Sequence, residues 1–401
     1  MKHFFSLSLA LVLGMLTGPL ALGQYPGWQQ QVSYDMNVVV DTATHQYRGD
    51  MKVVYTNKSP ESLDKVFWHL FFNAFQPGSM MDVRSRSISD PDRRVGSRIV
   101  ELPEDEWGWQ RIESVKVNGK PVAFVEDGTI LEVELPRALR PGKSVMFELN
   151  WRAQVPRQIR RSGWMNKEGV EYSMTQWFPK LCEFDHHGWH TNPYIGREFH
   201  GIWGNFDVHI HLPEGYGIGA TGVKQSTTSS PMPTGLPGTI HHYKASNVID
   251  FAWAADPDFI EEAVDVDGVT LRLIHQANAE IDSNWTVLAD YAAQAMAYIN
   301  EDIGPYMYPE YTVIQGGDGG MEYPMITLIT GERSLRSLVG VTVHEMAHSW
   351  FQGMVATNES LHEWMDEGFT SWAESRCMAN LFADPMKSDE NPHKWAYASY
   401  I

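Results

Sequence analysis

The sequence predicts a β plus α+β fold, in which a mostly antiparallel β region precedes a smaller region of mixed helices and strands. Three observations lead to this prediction. Up to about residue 262, short runs of alternating apolar and polar residues are separated by hairpin signals such as Asn118-Gly119. Beyond that point, apolar residues recur at helical spacing. With 401 residues, the chain is also long enough for two domains.

The amino terminus has the pattern of a signal peptide. The basic Lys2 is followed by an apolar run over residues 4–16, and the small residues Ala21 and Gly23 suit a cleavage site. The apolar run is too short for a comfortable membrane span. We therefore expect residues 1–23 to be removed and the mature protein to be exported, to a periplasm or out of the cell, without a stable membrane span. An uncleaved membrane anchor is the alternative.

Residues 24–262 are predicted to form an antiparallel β domain. Residues 131–135 and 145–149 alternate between apolar and polar side chains, which is typical of strands with one buried and one solvated face. Turn residues such as Asp127-Gly128 separate these runs.

Residues 263–401 are predicted to form the second domain. Ser283 is a suitable cap for a helix over about residues 284–302, which has one apolar side. A strand over residues 311–314 and a glycine-rich segment follow. Two further helices are predicted, one over residues 334–351 and one over residues 361–374.

The first of these two helices contains the pattern H-E-x-x-H, from His344 to His348. Histidines four residues apart project from nearly the same side of a helix and can share one ion. We therefore predict His344 and His348 as metal ligands and Glu345 as the general base that acts on a water at the metal. Two core histidines that bond to backbone groups are the alternative. It is disfavoured because two imidazoles and a carboxylate are costly to bury without partners.

The third ligand is expected from the following helix, whose sequence offers several candidates. On spacing alone, His362, Glu363 and Asp366 compete with Glu367. The residues themselves leave this choice open.

The pattern H-E-x-x-H, eighteen residues and then Glu367-Gly368-Phe369 resembles the aminopeptidase N family of zinc metallopeptidases, the gluzincins that include leukotriene hydrolase-like enzymes. The resemblance implies that Glu367 completes the ligand set of one Zn²⁺ ion. It also makes Glu374 similar to the family's carboxylate that steadies a ligand histidine. For Glu374, a solvated helix face is an equally good interpretation. The implied architecture is a saddle-like amino-terminal β domain followed by a thermolysin-like zinc peptidase domain.

A second motif, Gly319-Gly320-Met321-Glu322-Tyr323, resembles the family's G-x-M-E-N segment, with Tyr323 in place of the asparagine. The resemblance implies an edge strand beside the zinc, whose backbone pairs with an extended peptide substrate. Glu322 would bind the free amino terminus of that substrate. The glycines would allow the substrate backbone to approach closely. A plain glycine-rich loop is the alternative.

Two segments of the β region are also candidates for function. The residues around Gln176 resemble the segment with which the family's β domain reaches the active site, and Gln176 is therefore a candidate contact for the substrate amine. Residues 185–190, Asp-His-His-Gly-Trp-His, could bind a second metal ion. We prefer a polar loop for this segment.

The carboxy terminus differs from the family pattern. The family has an oxyanion-stabilising tyrosine and further helices well beyond the third ligand, whereas this sequence ends at Ile401. Tyr397 and Tyr400 lie too close to Glu367 for us to expect them in that role. We therefore expect the sequence to correspond to an incomplete family member.

The net charge limits the classes of binding partner, and the cysteine content indicates whether disulfide bonds are expected. The net charge of −19 disfavours nucleic acids and anionic membrane surfaces as partners. The two cysteines, Cys182 and Cys377, are expected to be free and buried.

Together with the resemblance, these motifs predict an exported zinc-dependent aminopeptidase that acts on peptides with a free amino terminus. A zinc endopeptidase or another hydrolase of the same fold is one alternative. A non-catalytic zinc-binding protein is the other.

Overall fold

The computed structural model describes residues 27–196 and 200–383. The predicted signal peptide over residues 1–23 and the tyrosines Tyr397 and Tyr400 lie outside these ranges. Among the helices of the described ranges, none has both the length and the apolar character needed to cross a bilayer.

The first part of the described chain is rich in strands. In chain order they are β1 Gln31–Asp41, β2 Gln46–Thr56, β3 Leu63–His69, β4 Trp109–Val117, β5 Lys120–Pro121, β6 Phe124–Asp127, β7 Ile130–Leu139, β8 Ser144–Gln154, β9 Gly163–Trp164, β10 Tyr172–Met174, β11 Lys180–Leu181, β12 Phe184–Asp185, β13 Gly188–Trp189, β14 Gly204–Pro213, β15 Gly217–Ala220, β16 Val223–Ser229, β17 Gly238–Val248 and β18 Trp253–Asp256.

The second part mixes strands and helices. Its strands are β19 Phe259–Val266, β20 Val269–Gln276, β21 Glu310–Gln315, β22 Gly320–Tyr323 and β23 Ile326–Ile329. The helices of the described chain are α1 Met80–Ser87, α2 Arg98–Glu101, α3 Asp282–Asp302, α4 Leu335–His348 and α5 Glu359–Leu381. Short 3₁₀ turns occupy Phe71–Ala74 and Glu104–Glu106, and a π-helical turn occupies Ser349–Gly353. This order confirms the predicted β plus α+β fold class.

An eight-stranded sheet, ordered β16-β17-β14-β1-β2-β8-β4-β5, forms the largest layer of the β region. Strand β1 shows why the sequence folds this way, because its buried and exposed residues alternate along its length. The buried set packs into the core and consists of Val32, Tyr34, Met36, Val38 and Val40. The predicted hairpin at Asn118-Gly119 connects β4 and β5.

Two four-stranded sheets, ordered β15-β18-β10-β9 and β11-β3-β7-β6, and the β12–β13 hairpin complete the β region. One apolar core joins these layers. Four of its tryptophans are fully buried: Trp68, Trp151, Trp177 and Trp253.

A five-stranded mixed sheet, ordered β19-β20-β21-β23-β22, forms the centre of the second part. Strand β22, which carries Glu322, lies at the edge of this sheet and runs antiparallel to β23. The predicted edge strand is therefore present. The predicted domain boundary between residues 262 and 263 lies inside β19, which pairs with β20 along its whole length. The division into two domains remains a prediction, and this pairing favours a boundary near residues 257–258.

The helices α3, α4 and α5 pack together beside this sheet. Their shared core contains Leu338, Val343 and Met346 of α4 together with Ala373 and Cys377 of α5. The two cysteines are free and buried, as predicted.

Three details of the helices differ from the sequence prediction. Helix α3 begins at Asp282, so Ser283 lies inside the helix and does not cap it. The Asp282 carboxylate instead accepts a hydrogen bond from the backbone N–H of Asn278. Helix α4 ends at His348 and passes into the π-helical turn. Helix α5 begins at Glu359 and has a kink at His362.

Candidate metal centre and active site

Helix α4 places the two histidines of the H-E-x-x-H pattern side by side. His344 Nε2 and His348 Nε2 are 3.2 Å apart. Both side chains leave the same face of the helix, as expected for a spacing of four residues. His348 is fully buried, whereas His344 is partly accessible.

Helix α5 brings the third predicted ligand to these two nitrogens. Glu367 Oε2 lies 3.4 Å from His344 Nε2 and 3.8 Å from His348 Nε2. The three residues each offer one ligand atom, and these three atoms lie within 4.8 Å of one another. The structure therefore assembles the predicted ligand set from two helices.

The other ring nitrogen of each histidine bonds to a residue of α5. His344 Nδ1 donates to Glu374 Oε2 at 3.0 Å, and His348 Nδ1 donates to Asp366 Oδ1 at 2.6 Å. Thr370 Oγ1 is a further neighbour of His348 Nδ1 at 3.2 Å. Glu374 therefore contacts a predicted ligand, while 31% of its side chain is exposed to solvent.

Asp366 is the residue whose place the sequence did not predict. It competed with Glu367 as a ligand on spacing alone, but its carboxylate lies behind His348, on the Nδ1 side. The signal was present in the sequence, because Asp366, Thr370 and Glu374 follow each other at four-residue steps and share one helix face.

This donor set fits a zinc ion. Because both Nδ1 atoms donate to carboxylates, both Nε2 atoms direct lone pairs toward each other at 3.2 Å. Such an arrangement is unfavourable unless a proton or a metal ion lies between them. Two imidazole nitrogens and one carboxylate oxygen form a three-ligand set that leaves one position open.

The electrostatics of the centre favour a cation. Burial lowers the pKa of His344, but hydrogen bonds with Glu367 and Glu374 outweigh it and raise the pKa to about 11. For His348, burial is likewise outweighed by the charge of Glu322 and the hydrogen bond with Asp366, and the pKa rises to about 9. The site therefore attracts protons when no metal is bound, and protons and metal compete for the same nitrogens.

Glu345 lies in the buried wall of the centre. It is only 6% exposed, and one of its oxygens is within 4.8 Å of ligand atoms of Glu322 and His348. Burial raises the pKa of Glu345, while the positive charges of His348 and His344 oppose this rise. A carboxylate with a raised pKa is suited to general-base chemistry near neutral pH.

Strand β22 passes close to Glu345 at Gly320. A Cβ atom at this position would overlap the Glu345 carboxylate and would lie 2.7 Å from Val341 Cγ2. The glycine is therefore needed to leave space for the carboxylate. The sequence had assigned the same glycine to the approach of a substrate. Gly319 has a φ of +136°, which a residue with a side chain rarely adopts.

The structure also brings Glu322 to the centre. Its Oε1 lies 3.9 Å from His348 Nδ1. Burial raises the pKa of Glu322 to about 8, with His348 opposing and Glu345 adding to the rise. The neighbouring Met321 and Tyr323 have buried side chains. In the described sheet, β22 pairs on one side only, which leaves backbone groups on its outer edge for an extended chain.

Gln176 lies apart from this group. It is buried, has a φ of +56° and lines a cavity of about 310 Å³ between the β region and the start of α5. His344, His348 and Glu367 do not line that cavity.

Arg161 is a residue of the centre that sequence reasoning missed. Its charge lowers the pKa of Glu322, Glu345 and Glu367, three carboxylates of the centre. It sits at the tip of a tight turn, where Ile159 and Ser162 exchange backbone hydrogen bonds. A basic residue in a turn carries no sequence signal for this role, because the electrostatic interaction joins residues that are distant in the sequence.

The fold and the donor set together resemble those of zinc metallopeptidases. The sequence model of the Peptidase family M1 domain matches residues 289–398, which include the H-E-x-x-H pattern and Glu367. This match supports membership of the aminopeptidase N family.

Curated relatives are aminopeptidases. Leucine aminopeptidase 2 of Emericella nidulans is 25% identical over 289 residues, which cover 68% of this chain and 45% of the relative. Leucine aminopeptidase 2 of Ajellomyces capsulatus is 33% identical over 112 residues, 26% of this chain and 18% of the relative. Aminopeptidase B of Rattus norvegicus is 38% identical over 89 residues, 20% of this chain and 13% of the relative. The matched region thus spans less than half the length of each relative.

Solved structures share the fold. An M1 zinc metallopeptidase from Deinococcus radiodurans superposes with a TM-score of 0.62 at 18% identity, covering 94% of this chain and 75% of that chain. A variant from Deinococcus radiodurans bound to a Tyr-Ser-Ala substrate gives a TM-score of 0.59 with the same identity and coverage. At 18% identity, the structural similarity is evidence for a shared fold.

Proposed function

We propose that this protein is a zinc-dependent aminopeptidase that releases amino-terminal residues from peptides. The observation that carries the proposal is the convergence of His344, His348 and Glu367 next to two buried carboxylates, Glu345 and Glu322. The match to the Peptidase family M1 domain and the aminopeptidase relatives support it.

In this proposal, His344, His348 and Glu367 hold one zinc ion. When bound there, zinc would lower the pKa of water and polarise the scissile carbonyl. Glu374 and Asp366 keep the imidazoles in the tautomer that presents Nε2 to the ion.

Glu345 acts as the general base. Its carboxylate removes a proton from the attacking water and delivers it to the nitrogen of the leaving amine. Its raised pKa increases its basicity, and the space at Gly320 fixes its position.

Glu322 provides the aminopeptidase specificity. Its carboxylate would pair with the ammonium group of the substrate, and the outer edge of β22 would pair with the substrate backbone. Binding the ammonium group at Glu322 would position the first peptide bond of the substrate at the metal centre. For Gln176, a contact with the substrate amine remains a prediction, which its separate cavity does not favour.

We further infer that the protein works outside the cytoplasm. The support is the signal-peptide pattern of residues 1–23.

The test is hydrolysis by the purified, zinc-loaded protein of an aminoacyl anilide and of its N-acetylated form, each with and without a zinc chelator. Chelator-sensitive cleavage of the free amine alone is the expected result. Cleavage of both substrates would indicate an endopeptidase or a broader hydrolase and would remove Glu322 from the assigned role.

The matched variant is Glu345→Gln, which keeps the size of the side chain. It should lower kcat by about 10²–10⁴-fold while zinc content stays unchanged. Turnover at the parent rate would contradict the assigned chemistry. A zinc-loaded, folded parent protein that cleaves neither substrate would support a non-catalytic zinc-binding protein instead.

A further inference from the structure

A second cluster of metal-ligating side chains lies in the β region. Asp185 Oδ2 is 2.9 Å from His190 Nε2 and 3.6 Å from His200 Nε2. One ligand atom from each of the three residues lies within 4.8 Å of the others. Ligands at about 2.1 Å from a tetrahedral zinc ion are separated by about 3.4 Å, and the two distances fall on either side of that value.

The β12–β13 hairpin orients the carboxylate of Asp185. Asp185 Oδ1 accepts a hydrogen bond from the backbone N–H of His187 at 2.7 Å, which turns Oδ2 toward the two imidazoles. His186 and His187, at the tip of the hairpin, are exposed. Of the histidines in the run from residue 185 to residue 190, only His190 joins the cluster.

His200 is the residue that changes the interpretation of this segment. From the sequence, a polar loop is the preferred interpretation of residues 185–190. In the structure, His200 adds a second imidazole from beyond the hairpin. Within the described residues, neither ring nitrogen of His200 makes a hydrogen bond, although both are buried.

The remaining nitrogen of His190 faces the start of helix α5. His190 Nδ1 is 3.5 Å from Asn358 Nδ2, and Asn358 Oδ1 is buried without a hydrogen-bond partner in the described chain. Turning the amide by 180° would let Oδ1 accept from Nδ1–H, which leaves the Nε2 lone pair for a ligand role. Asn358 immediately precedes α5.

The nearby lysine does not compete for the carboxylate. Lys180 Nζ pairs with Asp250 Oδ2 at 2.7 Å, and both side chains are almost fully buried. Asp185 therefore keeps its charge available for the imidazoles or for a cation held between them. His190 and His200 also line the cavity of about 310 Å³ that reaches Ser360 and Leu361 of α5, which gives room for a water as a further ligand.

We propose that Asp185, His190 and His200 bind a second divalent transition-metal ion, such as Zn²⁺. The ligand chemistry is that of zinc and related ions, two imidazoles and one carboxylate. Its role is structural, because the bound ion would fix the β12–β13 hairpin to the segment that carries His200. His190 in turn faces Asn358 at the start of α5, the helix that carries Glu367 and Glu374.

The test is the zinc content of the full-length protein after equilibration with a small excess of Zn²⁺ and removal of unbound metal. The parent protein should retain about two ions per chain, and His200→Asn about one. Asp185→Asn should also retain about one, and it can still accept the hydrogen bond from His187. The matched control, His186→Ala, alters the exposed neighbour and should retain about two.

Removal of the catalytic centre separates this proposal from the proposed function. A His344→Ala variant should retain about one ion, and the double variant with His200→Asn should retain almost none. The chelator-induced decrease in Tm should be smaller in His200→Asn than in the parent protein, in a fold verified by circular dichroism.

Two results would overturn the proposal. One is a parent protein that holds a single ion lost with His344→Ala. The other is a second ion that survives both His200→Asn and Asp185→Asn, or that disappears equally in His186→Ala, since either behaviour would indicate a different location.

Discussion

His348 donates a hydrogen bond from Nδ1 to the buried carboxylate of Asp366 at 2.6 Å. Helix α5 thus contributes two residues to the centre. Glu367 is a candidate metal ligand, and Asp366 holds the His348 side chain of α4 in position. A change in the packing of the two helices would alter both contributions together.

Asp366→Asn should weaken zinc binding by roughly 10–100-fold, because the amide cannot stabilise the imidazole as a carboxylate does. Competition with a chromogenic chelator measures the dissociation constant. Glu363→Gln, an exposed change one turn earlier on the same helix, should leave the affinity unchanged. Equal affinities for Asp366→Asn and the parent would contradict the supporting role.

Gly320→Ala should lower kcat/KM by roughly 10²-fold while zinc content is retained, because the new methyl group displaces the Glu345 carboxylate. Steady-state kinetics and metal analysis are the measurements.

The control for this change is Gly340→Ala on α4. Its nearest neighbour would be Met378 Cε at 3.5 Å, an ordinary contact. It should preserve activity and raise the free energy of unfolding by about 0.5–1 kcal/mol, since alanine favours a helix over glycine. Full activity in Gly320→Ala would show that Glu345 does not depend on that space.

Arg161→Gln should shift the acidic limb of the pH profile of kcat/KM to higher pH. The positive charge of Arg161 lowers the pKa of Glu345, so its removal raises that pKa. The base acts only when deprotonated, and a raised pKa therefore moves the loss of activity upward in pH. Arg152→Gln is the control, because Arg152 is an exposed residue paired with Glu113. An unchanged acidic limb in Arg161→Gln would argue against the electrostatic contact.

Asp250→Asn should decrease the free energy of unfolding by about 3–5 kcal/mol, because it leaves the buried charge of Lys180 without a partner. Urea denaturation monitored by tryptophan fluorescence measures the change. Glu132→Gln interrupts the exposed pair with Lys65 and should change the free energy of unfolding much less, because solvent screens an exposed ion pair. Similar losses in both variants would indicate that burial does not determine the strength of the Lys180–Asp250 pair.

Much of the fold was readable from the sequence because its signals are local. The alternation along β7 and β8 and the hairpin at Asn118-Gly119 each lie within a few residues. Helix ends were less predictable. Ser283 is a good cap by residue type, but α3 begins two residues earlier than predicted, at Asp282, whose carboxylate bonds back to the backbone N–H of Asn278.

The sequence by itself determined the core of the metal centre. His344, Glu345 and His348 lie within one helix, so their relation follows from helical geometry alone. The prediction of Glu367 as the third ligand depended on the resemblance to the aminopeptidase N family, because the spacing of residues in the sequence does not determine how α4 and α5 pack.

Only the tertiary structure decided which distant side chains meet. It placed Asp366 behind His348, the Glu345 carboxylate against Gly320, and His200 beside Asp185. These contacts join residues on different strands, helices and turns, and they depend on how the apolar faces of those elements pack. The periodicity of a sequence identifies each face, but the partner of a face is fixed only when the whole core is assembled.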